Sequence, residues 1–512
     1  MENNLLPAHG SEGSLLDSLA GAPEESLDPT DWAAFRAFAH TALDDAIDFM
    51  STQSARPVWR PVPAAVKAEL RTPVPLGPQP LSAVYDEFKR CVLPYPTGNG
   101  HPRFWGWVMG NGTPDAMVAE MLAAAMNPHV AGYDQSAALV EQQVLRWLAE
   151  LLGFPADSSG VLVGGGTEAN LLGLCAARNT RAGFDVRAEG LQLGGQSELI
   201  VYASTETHYW VDKSCEVLGL GRRALRRLPC DAAFGIDLSA LRTAIHADRK
   251  RGARPLCVVG TAGTVNTGAT DALEELAALC REEGIWFHID GAFGALAALS
   301  PALRSQVRGL EHADSLAFDL HKWGYLPYGV GCTLIRDANV HSQAFAGGAS
   351  YIKSLARGIM PEPFVFANRG IELSRSFRAL KVWMALKIHG AAKWGRLIEQ
   401  NVRQAQYLAA RIEREPELEL VAPVPLNIVC FRIRGQGLTD RQREALNEEV
   451  LLRIQESGVA VPSSTRIGGE FALRVAITNH RSRRSDFDLF IDTVLELTRA
   501  LRTSDFSATA AH

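Results

Sequence analysis

The sequence predicts an α/β protein, with a mostly parallel sheet in a large domain and a smaller α+β domain at the C-terminus. Between residues 160 and 336, short apolar or β-branched runs alternate with amphipathic helical segments. This alternation is typical of a parallel sheet that helices cover on both faces. After about residue 370, long helices precede widely spaced strands, which is an α+β order. The 512 residues are 47% hydrophobic and 21% charged, an ordinary composition for a globular protein.

The N-terminal part of the chain is predicted to extend from the large domain. Residues 1–28 are rich in Gly, Ser, Ala and Glu and predict a mobile tail. Residues 29–115 are expected to be helical and extended, with a helix over residues 31–51 where Trp and Phe recur at helical spacing. The Pro-rich stretch 56–80 predicts extended chain, because proline stops helices. A single helical run over residues 117–152 is expected to follow.

The large domain is predicted over residues 116–370. Its expected strands share an apolar, β-branched composition; they are residues 161–164, 198–204, 255–263, 285–290, 315–319 and 332–337. Helices are expected between several of them, for example over residues 168–178 and 272–283. Because parallel sheets bind ligands at the carboxyl ends of their strands, we expect a site in the loops that follow these strands.

The small domain is predicted over residues 371–502, and a second mobile tail over residues 503–512. Its expected helices and strands follow apolar periodicity; the helices are residues 371–389, 392–414, 440–457 and 485–501, and the strands are residues 427–434 and 471–478. The first of these strands stands isolated in the sequence.

Charge and cysteine content argue against several classes of protein. Lys plus Arg number 51 and Asp plus Glu 57, a net charge of −6, which gives no support for a nucleic-acid or anionic-membrane binder. The eight cysteines stand singly, which predicts buried thiols rather than a disulfide scaffold or a metal site. The sequence has no apolar run long enough to span a membrane and no signal-peptide pattern, so we expect no membrane association and a cytoplasmic location.

A glycine-rich turn is the first feature that can carry chemistry. The segment VLVGGGTEANLLGLCAAR (161–178) reads as a strand, three glycines and a helix that starts near Thr167. The amides at a helix N-terminus bind phosphate, and glycine lets a ligand approach the backbone closely. The spacing fits neither a Walker loop nor a dinucleotide fingerprint. The alternative is a tight strand–helix turn that Thr167 caps.

Two charged residues follow later strands. Asp290, in WFHIDGAFG (286–294), ends an apolar strand, where an unpaired carboxylate is costly. Its alternative is a helix cap or a structural ion pair. Lys322, in DSLAFDLHKWGYLPYGVG (314–331), follows the next strand; burial lowers the pKa of a lysine, and a neutral amine forms a Schiff base with a carbonyl. Its alternative is a surface cation with a packed stem.

Together the three loops match the needs of pyridoxal 5′-phosphate (PLP). The amides would hold the phosphate, the carboxylate would keep the ring nitrogen protonated, and the lysine would bind the aldehyde. His208, in YASTETHYWVDKS (202–214), again follows a strand and would stack on the ring. Its alternative is an ordinary loop or cap histidine. The sequence therefore predicts PLP as the cofactor and no metal.

The chain resembles the group II PLP-dependent amino-acid decarboxylases, which include aromatic-L-amino-acid, histidine and glutamate decarboxylases. The likeness runs from about residue 35 to residue 498. It rests on the motifs HPRFWGW (101–107), GGTEANLLGLCAAR (165–178), THYWVDKS (207–214), TAGTVNTGATD (261–271), WFHIDGAFG (286–294), ADSLAFDLHKW (313–323), RSFRALKVWMALKIHG (375–390) and LRVAITN (473–479). The resemblance implies the fold type I, aspartate aminotransferase-like architecture and decarboxylation of an L-amino acid to the amine and CO2.

The resemblance also implies the roles of individual residues. Lys322 would carry PLP, Asp290 would pair with the ring nitrogen, and His208 and Ala292 would lie on opposite faces of the ring. The other residues that it places in the cofactor site, mostly near the phosphate, are Gly165, Gly166, Thr167, Thr264, Asp319 and His321.

A tyrosine distinguishes two chemistries within the resemblance. Aromatic-type members carry a tyrosine on a mobile loop after the HKW segment, and it returns a proton to Cα once CO2 has left. Tyr351, in AFAGGASYIKSL (344–355), stands at the matching place. Related oxidative aldehyde synthases have Phe there, so Tyr351 favours simple decarboxylation. The alternatives are such an oxidative decarboxylase-deaminase, a tyrosine that only packs on its loop, and a PLP-binding protein without activity.

The substrate side of the site departs from the family. WGWVMGNGTP (105–114) replaces a Phe-Pro-Thr segment, and Tyr209 and Trp210 stand where members often have a serine. Trp105, Trp107, Tyr133 and Trp210 are candidates for an aromatic box, with core packing as the alternative for each. They favour an aromatic or bulky apolar substrate. For Arg474 the alternatives are a substrate-carboxylate contact and a structural arginine.

The resemblance implies a homodimer whose active sites form at the interface, with the N-terminal segments wrapped around the partner. The helix at residues 31–51 and the Pro-rich stretch 56–80 fit this arrangement, because neither has an evident way to bury its apolar residues alone.

Overall fold

The computed structural model of the chain describes residues 25–191, 197–347, 357–359 and 365–503. The chain divides into two compact units, one up to Thr52 and one from Gln53 onward. In the first unit, helix α1 (Trp32–Ser51) begins after Asp31, whose carboxylate accepts hydrogen bonds from the N–H groups of Ala33 and Ala34. This helix confirms the prediction for residues 31–51. The domain boundaries at residues 115, 370 and 502 stay predictions.

The helices of the second unit surround two sheets. In chain order they are α2 (Ala64–Glu69), α3 (Leu81–Glu87), α4 (Pro114–Met126), α5 (Ser136–Leu152), α6 (Gly166–Arg181), α7 (Val186–Glu189), α8 (Trp210–Val217), α9 (Leu238–Lys250), α10 (Leu273–Glu283), α11 (Ala338–Phe345), α12 (Ala379–His389), α13 (Ala391–Glu413), α14 (Asp440–Glu456) and α15 (Arg484–Thr503).

The larger sheet has seven strands and is mostly parallel. Its strands are β1 (Ser159–Val163), β2 (Leu199–Ser204), β3 (Leu225–Leu228), β4 (Arg254–Thr261), β5 (Trp286–Asp290), β6 (Ser315–Asp319) and β7 (Gly331–Ile335). They lie in the order β1-β7-β6-β5-β4-β2-β3, and only β7 pairs antiparallel with its neighbours. A buried apolar core fills the space between this sheet and its helices. The predicted α/β class with a mostly parallel sheet is confirmed.

The smaller sheet has four antiparallel strands in the order β10-β11-β9-β8. They are β8 (Leu418–Leu420), β9 (Ile428–Ile433), β10 (Ser463–Ile467) and β11 (Glu470–Ala476). Its apolar face packs with α13, α14 and α15 in a second core cluster. The strand expected to be isolated at residues 427–434 is therefore an inner strand of a sheet, which corrects that expectation.

Three other expectations about elements are wrong. The helical run 117–152 is two helices, because Asn127 takes a left-handed conformation at the end of α4 and Pro128 follows it. The Pro-rich stretch 56–80 contains the short helix α2. The helix expected from residue 371 begins at Ala379, since the backbone carbonyl of Arg375 accepts a hydrogen bond from Val130 instead of continuing a helix.

The eight cysteines all lie in the described residues, form no disulfide there, and are buried except for Cys230, which is partly exposed. Among the residues described, none of the helices has the length and apolar composition needed to cross a lipid bilayer.

Candidate active site

The predicted cofactor residues lie at one edge of the larger sheet. Strands β1, β2, β4, β5 and β6 run in the same direction, so their carboxyl ends meet at that edge. The segments that follow them contain, in chain order, the Gly164–Thr167 turn, His208, Thr264, Asp290 with Ala292, and Lys322. The parallel arrangement thus brings together residues that are far apart in the sequence.

Asp290 is buried at the end of β5, and N–H donors surround its carboxylate. Oδ2 accepts a hydrogen bond from Trp210 Nε1 at 2.7 Å. Oδ1 accepts one from the Ala292 N–H at 3.0 Å and a longer one from Asn170 Nδ2 at 3.4 Å. These donors carry no formal positive charge, so Asp290 has a hydrogen-bonded environment but no ion-pair partner among these three contacts.

Lys322 forms an ion pair with the neighbouring carboxylate on β6. Its Nζ lies 3.0 Å from Asp319 Oδ2. Burial lowers the pKa of Lys322, but the charges of Asp319 and Asp290 outweigh burial and raise that pKa above its usual value. The sequence argument that burial alone would leave the amine neutral is therefore wrong for this arrangement.

The glycine-rich turn lies directly against Asp319. A Cβ added to Gly166 would lie 2.5 Å from Asp319 Oδ2, and one added to Gly165 would lie 3.2 Å from the His321 ring. Glycine is therefore required where the turn passes the carboxylate. Helix α6 begins after Gly165, and within the described residues no side chain caps it. Thr167 is exposed in its first turn and does not act as the cap.

Two histidines flank the lysine. The Nδ1 atom of His208 accepts a hydrogen bond from the Trp210 backbone N–H at 3.2 Å, so the neutral ring carries its proton on Nε2. Burial lowers the pKa of His208, with Asp290 opposing and Lys322 adding to that effect. Burial likewise lowers the pKa of His321, whose Nε2 lies 3.8 Å from Asp319 Oδ2.

Thr264 and Ala292 hold the adjacent backbone in place. The Thr264 hydroxyl is buried, lies 3.0 Å from that of Thr267, and accepts the Ala269 N–H at 3.2 Å, which closes a tight loop. The Ala292 carbonyl accepts the Asp319 N–H at 2.9 Å, so it joins the ends of β5 and β6.

The substrate candidates separate into two groups. Trp105 is fully buried in the core of the smaller sheet, where its Nε1 donates to Ser482, so the structure realises the core-packing alternative for this residue. Trp107 and Tyr133 are 53% and 36% exposed, and both have a left-handed backbone, with φ of 52° and 75°. The Tyr133 ring packs against His129, on the loop between α4 and α5.

Trp210 and Arg474 are structural in this arrangement. The Trp210 ring is buried behind Asp290 rather than exposed in an aromatic box. The buried Arg474 guanidinium donates to the carbonyls of Trp107, Val265 and Asn266. It therefore joins the Trp107 segment to the loop that follows Thr264, which is the structural alternative for this arginine.

Sequence reasoning did not assign roles to Asn170, His288 or Tyr328. Asn170 lies one turn after Gly166 on α6, and His288 precedes Asp290 by two residues, so the two side chains of β5 share one face. The two-residue spacing between His288 and Asp290 is the sequence signal that could have indicated His288. The Tyr328 ring packs on His321 with centroids 4.7 Å apart, and its position depends on the loop after Lys322, for which no sequence pattern was evident.

Comparison with known proteins identifies the family. The model of the pyridoxal-dependent decarboxylase conserved domain matches residues 63–434. An aromatic-L-amino-acid decarboxylase of Bacillus atrophaeus is 34% identical over 452 residues, which cover 87% of this chain and 92% of the relative. The chain belongs to the pyridoxal-dependent decarboxylase family.

Other decarboxylase-family proteins are similar over nearly the whole chain. The crystal structure of Oryza sativa TDC with PLP and tryptamine has a TM-score of 0.86 at 26% identity, and the match covers 93% of this chain and 100% of that one. A phenylacetaldehyde synthase of Arabidopsis thaliana is 27% identical over 466 residues, 88% of this chain and 93% of the relative. The predicted fold type I architecture, PLP cofactor and amino-acid decarboxylase class are confirmed.

The residues at the sheet edge fit PLP. Asp290 offers a buried carboxylate, Lys322 an amine at the same sheet edge, and the Gly165–Gly166 turn a helix N-terminus that no side chain caps. Neither oxygen of the buried Asp319 carboxylate has a hydrogen-bond donor of suitable geometry among the described residues. Tyr351 lies outside the described residues.

Proposed function

We propose that this enzyme decarboxylates an L-amino acid with an aromatic side chain to the corresponding amine and CO2. The observation that carries the proposal is that a buried Asp290 carboxylate and the Lys322 amine lie at the same edge of the sheet, in a chain that is 34% identical to an aromatic-L-amino-acid decarboxylase. The exposed Trp107 ring supports an aromatic substrate, because aromatic rings pack well on one another. Its left-handed backbone is strained, and such strain is concentrated at functional sites.

Each residue then has a defined task. When bound, PLP supplies an acceptor for the electron pair that CO2 leaves at Cα. Asp290 would hold a proton on the ring nitrogen, and Lys322 would hold the cofactor through its carbonyl carbon. His208 and Ala292 would contact the ring. The turn of Gly165, Gly166 and Thr167 would hold the phosphate, with Thr264, Asp319 and His321 nearby.

Tyr351 is proposed to return the proton to Cα. A phenol at this step directs the reaction to the amine, because protonation at Cα competes with oxidation of the electron-rich carbon. The glycines at positions 347 and 348 suit a hinge for the loop that carries Tyr351. A closed loop would keep water away from the reacting carbon.

The test is a panel of amino acids with four products measured together. Purified enzyme with PLP is incubated with Trp, Tyr, Phe, His and Glu, and CO2, amine, aldehyde and peroxide are quantified. We expect amine and CO2 in equal amounts from the aromatic substrates and little from Glu. A Lys322→Ala variant serves as the control without turnover. Amine formed from Glu but not from aromatic substrates would contradict the substrate class.

The second candidate is an oxidative decarboxylase that makes an aldehyde. The similarity to a phenylacetaldehyde synthase favours including it. In the same panel, equal amounts of aldehyde and peroxide in place of amine would support this candidate. A Tyr351→Phe variant should shift product from amine to aldehyde; an unchanged amine yield would remove Tyr351 from its proposed role.

We also propose that the enzyme is a homodimer in the cytoplasm with active sites at the subunit interface. Each unit exposes large apolar side chains that neighbour one another on a helix, and contiguous apolar patches of this kind are typical of protein–protein interfaces. They include Trp32 and Phe35 on α1, and Met121, Leu122 and Met126 on α4. Sedimentation of active enzyme as a monomer would contradict the dimer.

A further inference from the structure

The carboxylate of Asp290 is held by a chain of hydrogen bonds that starts well behind it. Trp286 Nε1 donates to the Ser315 hydroxyl at 2.8 Å. The same hydroxyl lies 2.8 Å from His288 Nδ1, and His288 Nε2 lies 2.7 Å from Asn170 Oδ1. Asn170 Nδ2 then reaches Asp290 Oδ1. All five side chains are buried.

The direction of every bond in this network follows from Asn170. Its Nδ2 lies against two acceptors, the Gly166 carbonyl at 2.8 Å and Asp290 Oδ1, so its Oδ1 faces His288. An amide oxygen only accepts, so His288 Nε2 carries the hydrogen and donates to it. Nδ1 of the neutral ring then accepts from the Ser315 hydroxyl, which in turn accepts from Trp286 Nε1.

Two features keep the His288 ring neutral and fixed in this arrangement. Burial lowers its pKa to about 4, so the ring is neutral at physiological pH. A Cβ added to Gly173 of α6 would lie 2.5 Å from the His288 ring, so only glycine leaves room for the ring between helix and sheet. In this network of hydrogen bonds, Asp290 is therefore an acceptor and Asn170 is its donor.

Trp210 completes this arrangement from the opposite side. Its Nε1 donates to Asp290 Oδ2 at 2.7 Å, while its backbone N–H donates to His208 Nδ1 at 3.2 Å. Its ring meets that of His288 edge to face, with centroids 5.6 Å apart. Trp210, at the start of α8, thus contacts His208, Asp290 and His288.

The donors leave a single acceptor position on the carboxylate. A carboxylate has about two acceptor positions on each oxygen. Both positions of Oδ1 are used, by the Ala292 N–H and by Asn170, and one position of Oδ2 is used by Trp210. One acceptor position, on Oδ2, therefore stays open.

We propose that Trp210 is a positioning residue that orients the Asp290 carboxylate and leaves one acceptor position of Oδ2 for the ring nitrogen of PLP. The inference rests on the role proposed for Asp290. Through Asp290, Trp210 keeps the proton on the ring nitrogen, and through its backbone it sets the His208 ring, so the residue acts on the cofactor without touching substrate.

The test compares Trp210→Phe with the parent holoenzyme. Phenylalanine keeps an aromatic ring in the pocket and removes the indole N–H. We expect the dissociation constant of PLP from the apoenzyme to rise about tenfold, as for loss of one hydrogen bond to a charged group. We also expect the 15N signal of 15N-labelled PLP in the holoenzyme to move toward the unprotonated ring, and kcat to fall with KM nearly unchanged.

Trp383→Phe is the matched control. Trp383 Nε1 donates to Gln143 at 2.8 Å, so this variant also loses one indole hydrogen bond, but between α12 and α5. It should keep the parental PLP affinity and 15N signal. If Trp210→Phe does not fold, the parent protein tests the same contact: the indole 15N–1H signal of Trp210 should shift when the apoenzyme binds PLP, and an unchanged indole signal would overturn the inference.

Asp290→Asn separates failure of this inference from failure of the proposed function. If Asp290→Asn leaves the 15N signal at its parental position, the role proposed for Asp290 is wrong. If Asp290→Asn moves the signal and Trp210→Phe leaves both the signal and the PLP affinity unchanged, the inference about Trp210 is overturned while the role of Asp290 stands.

Discussion

The ion pair between Lys322 and Asp319 controls the charge of the proposed cofactor-binding amine. Asp319 Oδ2 lies 3.0 Å from Nζ, and its charge helps to raise the pKa of Lys322 against the effect of burial. The change Asp319→Asn keeps the shape of this side chain and removes its charge. This variant should therefore lower the pKa of Lys322, because the remaining effect of burial disfavours the charged amine.

The measurement is the rate at which apoenzyme binds PLP covalently, followed by visible absorbance as a function of pH. Only the neutral amine attacks the aldehyde, so the pH at half-maximal rate should be lower in Asp319→Asn than in the parent. Asp486→Asn, which removes a carboxylate paired with Arg103, should leave that pH unchanged. An identical pH profile for Asp319→Asn and the parent would refute the electrostatic role of Asp319.

At the residue scale, the sequence indicates the parts of the site that follow strand ends and not the contacts between them. Asp290 and Lys322 can be found because a charged residue after an apolar strand has few explanations. For Trp210 the sequence left an aromatic box and core packing open, and the structure shows the buried alternative; no sequence pattern shows which way an indole turns at the start of a helix. The contact with Asp290 depends on how β2 and β5 align across β4, which is a property of the folded sheet.

At the scale of elements, a buried ion pair joins α5 to the segment before α12. Arg375 and Glu141 are almost completely buried, and Arg375 also donates to the carbonyls of Val130 and Leu162. Removing one member of such a pair leaves a buried charge without a partner, which costs about 3–5 kcal/mol. We expect Arg375→Met to lower the apparent melting temperature of the enzyme strongly in a thermal scan.

Arg378→Met provides the comparison for this prediction. Arg378 pairs with Glu372 in a more exposed position, with side-chain exposures of 15% and 26%, so its loss should lower the melting temperature much less. Equal melting temperatures for the two variants would show that burial of the Arg375 pair is not what stabilises this junction.

Two strands that the sequence failed to predict share a physical cause. Strand β3 has the sequence LRRL, and strand β10 has the sequence SSTRI with alternate residues exposed, so neither forms an apolar run. Both lie at the edge of a sheet, where one side of the strand has no neighbour to bury it. Inner strands such as β5 and β6 are buried throughout, and the sequence predicts them closely.

At the scale of the whole molecule, buried histidines should make the enzyme sensitive to acid. Burial lowers the pKa of four of them from 6.5, to about 4 for His101, His288 and His480 and to about 3 for His341. In the unfolded chain each would bind a proton near its ordinary pKa. The unfolded state therefore binds more protons than the folded state between these values, and stability must fall as pH falls through that window.

Asp271 acts in the opposite direction. Burial raises its pKa from 3.8 to about 6, so below about pH 6 the folded state binds a proton that the unfolded state binds only at lower pH. Burial also raises the pKa of Glu141, Glu168 and Asp314, which act in the same direction as Asp271. Burial lowers the pKa of His208 and His321 as well, so six histidines oppose these four carboxyls and we expect a net loss of stability on acidification. Each histidine contributes a slope of up to about 1.4 kcal/mol per pH unit below its ordinary pKa.

The apparent melting temperature, measured at saturating PLP, should therefore drop steadily from about pH 7 to about pH 5. His341→Gln isolates one contribution: His341 contacts Ser159 at the start of β1, the end opposite to the proposed cofactor residues, and its other ring nitrogen contacts the Arg369 carbonyl; an amide can also reach both partners. This variant should be less stable at neutral pH but lose less stability on acidification. A melting temperature that stays constant over this pH range would show that these histidines titrate normally in the folded enzyme.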